Sequence, residues 1–155
     1  MGRGRGGYTE IQKDGYVDSG GNPVTDKGSI FVAERYIEAG YESVFRQTHD
    51  EIPGQKAYDL TIKDSSDIEF IKNIEVKRTT SSKPSQMAKN IKEGFEQVGE
   101  EGTVAVYLPN RVHDADTMNY INEAFAEAQR KGWIKGKVEV WLSDSKTMND
   151  KIDLN

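Results

Sequence analysis

The sequence predicts one domain of the mixed α/β class, a mixed sheet with helices packed on its faces, in the order α-β-β-β-α-β-α-β. Two observations carry this reading. Short segments with apolar residues at every second position are interleaved with segments whose apolar residues recur every three to four positions. The chain has 155 residues, enough for one hydrophobic core and too few for two. Residues 1–27 read as an irregular N-terminal arm, and 28–155 as the domain.

The arm is rich in Gly, Asp and Asn, with Asn22-Pro23 as a turn signal and Arg3 and Arg5 set between glycines. Residues 28–39 read as a helix ended by Gly40, with Ile30, Ala33 and Ile37 on one face. Ser43–Gln47 is a short strand. Pro53 and Gly54 mark a loop, and Ala57–Ile62 alternates as the second strand. Asp64-Ser65-Ser66-Asp67 is a turn, so Glu69–Arg78 is expected to pair with the second strand as a hairpin. Pro84 opens a helix with the stripe Met87, Ala88, Ile91, Phe95 and Val98, stopped by Gly99. Thr103–Leu108 is a buried strand. Asp114 or Asp116 caps a helix carrying Met118, Ile121, Phe125 and Ala128, closed by Gly132. Val138–Leu142 is the last strand, and the tail after it is polar.

Composition narrows the function classes. Cysteine is absent, which excludes disulfides, thiol nucleophiles and cysteine metal sites. No apolar run approaches the length of a membrane span. The first eight residues lack the apolar core of a signal peptide, so a soluble protein is expected. The net charge of −5 does not advertise nucleic-acid affinity. Its distribution differs, because Lys72, Lys77, Arg78, Lys83, Lys89 and Lys92 face only Glu75 across that stretch. This basic run is compatible with phosphate contact, though such a run is more often a solvated surface.

The sharpest chemical signal comes from strand alternation. Asp59 and Thr61 should point one way while Leu60 and Ile62 point the other, and Glu75 and Lys77 should share a face opposite Ile74 and Val76. Pairing through the Asp64–Asp67 turn brings Asp59 and Glu75 together. Two adjacent carboxylates repel unless a cation lies between them, and hard oxygen donors suit Mg²⁺ or Mn²⁺. Lys77 stays within reach of a water or a phosphate oxygen, and these are the parts of metal-assisted phosphodiester hydrolysis. A second acid-x-Lys triplet, Asp144-Ser145-Lys146, has no partner carboxylate and reads as surface loop. Glu34 sits beside Ala33 and Ile37, where a carboxylate either reaches water at the stripe edge or aims into a site. His49 and His113 are read as surface residues.

These residues, in this order, resemble the PD-(D/E)XK superfamily of metal-dependent, restriction-endonuclease-like nucleases. That family has an α-β-β-β-α-β core with a helix Glu, an Asp on the second strand and Glu-x-Lys on the third. Glu34, Asp59 and Glu75-Val76-Lys77 occupy those positions, and Tyr58 replaces the usual Pro before the Asp. The resemblance implies that Asp59, Glu75 and the Val76 carbonyl hold a divalent metal, Mg²⁺ first with Mn²⁺ or Zn²⁺ as alternatives. It further implies that Lys77 orients the attacking water and that Glu34 completes the shell. Arg78, Thr79, Lys83, Gln86 and Lys89 would face the substrate backbone.

Lys27 to Leu108 also resembles C-terminal nuclease domains of polymorphic bacterial toxins, including contact-dependent growth inhibition toxins. That likeness implies a tRNA-cleaving toxin domain acting in the cytoplasm of a target bacterium, with a cognate immunity protein as partner. The net charge of −5 departs from the basic character of such toxins. A DNA endonuclease from a phage or mobile element would use the same residues. A noncatalytic nucleic-acid or protein-interaction domain would keep only the fold.

Overall fold

The computed structural model describes residues 15–46, 59–64, 67–99 and 101–154. Expectations for Arg3, Arg5, Gln47, His49, Pro53, Gly54, Ala57, Tyr58, Ser65 and Ser66 lie outside the described residues. Among those described, the elements are α1 (Lys27–Glu38), β1 (Tyr41–Phe45), β2 (Leu60–Asp64), β3 (Asp67–Arg78), α2 (Pro84–Val98), β4 (Thr103–Leu108), α3 (Ala115–Arg130), β5 (Lys137–Leu142) and β6 (Ile152–Leu154). The expected order is present, with β6 added after a 3-10 turn at Met148–Asp150.

The six strands form one mixed sheet in sequence order, β1-β2-β3-β4-β5-β6. β1, β2 and β3 are antiparallel, β3, β4 and β5 are parallel, and β6 returns antiparallel to β5. Parallel neighbours require crossovers, which α2 and α3 supply. Both cover one face, where Met87, Ile91, Phe95, Ile121 and Ala124 pack on Val104, Val106, Val138 and Val140. α1 covers the other face, with Val32, Ala33 and Tyr36 against Leu60, Ile62, Ile74, Ala105 and Trp141. A sheet covered on both sides explains why β4 reads as a continuous apolar run rather than an alternating one.

Local signals set the helix ends. Asp26 caps α1, accepting from the Ser29 backbone N–H at 3.0 Å, and Gly40 follows the helix at φ +101°. Pro84 stands in the first turn of α2, and Asp114 caps α3 through the Thr117 N–H at 2.8 Å. Gly136 has no room for a side chain, since a Cβ there would lie 2.3 Å from the Gly102 carbonyl oxygen.

Several boundaries differ from expectation. α1 starts one residue early, and its buried face is Ser29, Val32, Ala33 and Tyr36 rather than Ile30, Ala33 and Ile37. β1 begins at Tyr41, and β2 runs through Lys63 and Asp64 because these pair with Glu42 and Tyr41. β3 begins at Asp67, which pairs with Asp64 across a register shift. The arm is in part docked, since Ser19 N–H donates to the Phe45 carbonyl and the Tyr16 ring packs on Phe45. Among the described residues no helix is long and apolar enough to cross a membrane.

Candidate active site

The faces of the sheet decide which predicted residues meet. Leu60 lies opposite Ile74, and both are buried under α1. Asp59, Glu75 and Lys77 therefore belong to the face covered by α2 and α3. Asp59 immediately precedes β2, where its N–H donates to the Ile74 carbonyl at 3.0 Å and its carbonyl accepts from Arg46 N–H at 2.8 Å. One carboxylate oxygen accepts from the Val76 N–H at 2.9 Å. Thus the side chain is clamped to β3 just past the last ladder pair. The Val76 carbonyl leaves the strand on the same side as its N–H, toward Asp59.

Glu75 is 7% exposed, and the Lys77 ammonium lies 3.5 Å from its Oε2. Burial pushes the Glu75 carboxyl up to about 8, the Asp59 charge adds to this, and Lys77 pulls the other way. Asp59 is also raised, by burial first, against the pull of the Val76 N–H; the nearby Asp26 carboxylate raises it further. Both carboxyls are thus pushed toward the neutral form, and the interaction between them favours the proton on Glu75. This arrangement fits a divalent cation, because two inward carboxylates joined by a carbonyl form a hard-oxygen donor set whose ionisation a positive charge favours. Among the described residues, no three His, Cys, Asp or Glu side chains cluster to hold a metal, so the backbone carbonyl matters to this reading.

Glu34 does not join the group. α1 lies on the opposite face of the sheet, and Glu34 accepts from the Tyr16 hydroxyl at 3.0 Å with Arg35 at 3.7 Å. Its side chain is 41% exposed, so of the two expectations for it the stripe-edge one describes its position. Arg78 is exposed and, by alternation, leaves β3 on the side away from Lys77. Thr79 is buried, its hydroxyl accepting from Asn90 Nδ2 at 2.6 Å. Gln86 is exposed and donates to Asn90 Oδ1 at 3.1 Å. Lys83 is the N-cap residue of α2, and Lys89 lies on the helix's exposed side.

The basic run is less of a patch than its sequence implies. Lys72 is drawn to the α1 face, where its ammonium lies 3.0 Å from Glu139 and 2.7 Å from the Tyr36 hydroxyl. Lys92 pairs with Glu96 at 3.2 Å. Glu139, 1% exposed, also accepts from Tyr36 and from the Trp141 indole at 3.0 Å, and burial with this carboxylate drives the Tyr36 phenol far up. Asp144 is held in the expected surface loop, but with a partner: it accepts from the backbone and ring of His113, at 3.1 Å and 2.7 Å.

Sequence reading missed Asp26, whose proximity to Asp59 carried only a helix-cap signal. It also missed a cavity of about 360 Å³ between Thr79–Ser82 and Asn110–Thr117, which two separate loops create. Compared with known protein families, curated proteins and solved structures, the chain matches none of them.

Proposed function

We propose that this protein is a metal-dependent phosphodiesterase of the PD-(D/E)XK type that cleaves nucleic acid, with tRNA as the substrate of a bacterial toxin domain. The observation that carries the reading is the adjacent pair of Asp59 and Glu75, Glu75 buried and Asp59 clamped to the Val76 N–H, with Lys77 3.5 Å from Glu75 on the same face. The element order α-β-β-β-α-β and the position of the triplet at the end of β3 support the family. The choice of tRNA, a cognate immunity protein as partner and the target-cell cytoplasm as the place of action rest on the resemblance to toxin domains.

Asp59, Glu75 and the Val76 carbonyl would hold the cation. When bound, it supplies Lewis acidity toward the phosphate and makes water more acidic. The chain's own residues do the rest. The Val76 N–H fixes the rotamer of Asp59, so the carboxylate needs no reorganisation to bind. Lys77 would hold its ammonium toward the water that attacks phosphorus and toward the oxygen that gains charge. The new P–O bond would form as the P–O bond to the leaving sugar oxygen breaks, the attacking water losing a proton to solvent and the leaving oxygen taking one up from solvent.

The test is incubation with total tRNA and, separately, supercoiled plasmid, each with Mg²⁺ and with EDTA. Cleavage of tRNA alone, lost with EDTA, is expected. Asp59→Ala, Glu75→Ala and Lys77→Ala are each expected to abolish it while circular dichroism stays unchanged. Cleavage of plasmid alone would keep the site and replace the substrate, and full activity in Asp59→Ala would overturn the site.

A further inference from the structure

The cavity between the β3–α2 loop and the start of α3 is preformed. The Tyr120 hydroxyl donates to the Ser81 carbonyl at 2.7 Å, and the Arg111 guanidinium lies 3.8 Å over the Tyr120 ring. Arg111's carbonyl accepts from the Ser143 hydroxyl at 2.7 Å and its Nη1 lies 3.4 Å from Asp116 Oδ2. Both walls are thereby tied to the body of the domain. At about 360 Å³ the space falls within the range of small-ligand pockets.

Its net charge disfavours a phosphate. The lining holds one cation, Arg111, and two carboxylates, Asp114 and Asp116, and the cation is already engaged by a ring and a carboxylate. The lining's charge is therefore net acidic, while the Asn110 amide and the hydroxyls of Thr79, Thr80, Ser81, Ser82 and Thr117 offer both roles. Val112 at the wall is 45% exposed, the exposed large hydrophobic among the described residues, and gives a flat ring an apolar surface to lie on. A neutral ring with amino donors matches this lining, since carboxylates accept from base amino groups such as cytosine N4.

Position ties the cavity to the carboxylates. Glu75, Lys77 and Thr79 project from the same face of the chain in succession, and Thr79 is part of the cavity wall. Two residues of strand advance about 7 Å, so the cavity opens roughly one such step beyond Lys77. We infer that it is a subsite for a single unstacked base bearing an exocyclic amino group, on the strand whose backbone crosses Asp59 and Glu75; the inference rests on the nuclease reading for that strand. Unpaired, splayed bases are how proteins read single-stranded RNA.

Amide NMR of the metal-free protein, titrated with tetracytidylate and with tetrauridylate, tests this without any cleavage. Tetracytidylate is expected to shift the amides of Asn110, Val112 and Asp116, and to bind about fivefold more tightly than tetrauridylate, the worth of one hydrogen bond. Asn110→Trp, at an exposed turn, and Asp116→Ala, at an exposed side chain, are each expected to erase that preference. Equal binding of the two oligonucleotides, or shifts confined to other surfaces, overturns the subsite. If no nucleic acid is cut but the cytidylate preference holds, the base pocket stands and the nuclease reading falls. Cleavage without base preference, unchanged in both variants, has the opposite meaning.

Discussion

Binding of Mn²⁺ to the protein at several pH values puts the proton shared by Asp59 and Glu75 to the test. Glu75 is held up to about 8 by burial and then by the Asp59 charge, against Lys77. At pH 7 about nine molecules in ten therefore carry that proton. A cation that needs both carboxylates must displace it. Calorimetry in buffers of different ionisation enthalpy should count about 0.9 proton released per cation at pH 7, about half a proton at pH 8, and about 0.1 at pH 9. Affinity should rise about tenfold per pH unit between about 5 and 7 and level off above 8. The same linkage acts on folding. The folded value lies above the ordinary 4.5, so the proton favours the folded state; this contribution is present in full below 4.5 and is lost as pH rises through about 8. The loss from this group amounts to something on the order of 5 kcal/mol. Glu75→Gln should release no proton on binding and should flatten the stability profile of the metal-free protein. Tight binding with less than about 0.2 proton released at pH 7 would refute the reasoning, as would a Glu75→Gln protein that releases as many protons as the wild type.

Three further outcomes follow from the packing. Lys72→Met leaves Glu139 buried with one fewer cation and should cost about 3 kcal/mol, read by urea unfolding; an unchanged midpoint would mean that Lys151, 4.0 Å from the carboxylate, suffices. Both ring nitrogens of His113 face acceptors, Asp144 at 2.7 Å and the Asp150 carbonyl at 2.9 Å, and although burial acts to lower its pKa, these hydrogen bonds raise it. The tie should therefore be complete below the ordinary 6.5 and fade as pH rises through the higher folded value, and Asp144→Asn should lower the His113 midpoint seen by NMR. Gly136→Ala should cost about 2 kcal/mol, because backbone rather than a flexible side chain stands 2.3 Å from the added methyl, and thermal unfolding would show it.

The parts of the fold that were legible in the sequence are those written in local chemistry. Pro84, Gly99 and Asp114 bound α2 and α3 where they were expected, because caps and stops act over one turn. The ends of β1 and β2 were not legible. Lys63 and Asp64 look like loop, and they stay in the ladder because Glu42 and Tyr41 lie opposite. The buried face of α1 was misjudged because Tyr36 is polar at its tip, and the partners that give that hydroxyl a reason to be inside, Glu139 and Lys72, lie 103 and 36 residues away. Similarly, β6 is three residues long, too short for any periodicity to show. Within the candidate site, the placing of Asp59, Glu75 and Lys77 on one face followed from the period of a strand. Glu34 did not, because its place depends on which side of the sheet α1 chooses. The cavity depends on two loops meeting and has no sequence signature.

Glu139 has a consequence for how the strands find their alignment. Apolar parallel strands such as β4 and β5 tolerate a two-residue slip, since such a slip keeps every side chain on its own face. In β5 the same slip would carry the carboxylate away from Tyr36 and Lys72 and strand it, charged, inside an apolar layer. A stranded buried charge costs several kcal/mol, far more than the slip would lose in apolar contact. The carboxylate thus works as an index pin, setting the late-synthesised end of the sheet against a strand and a helix made long before it.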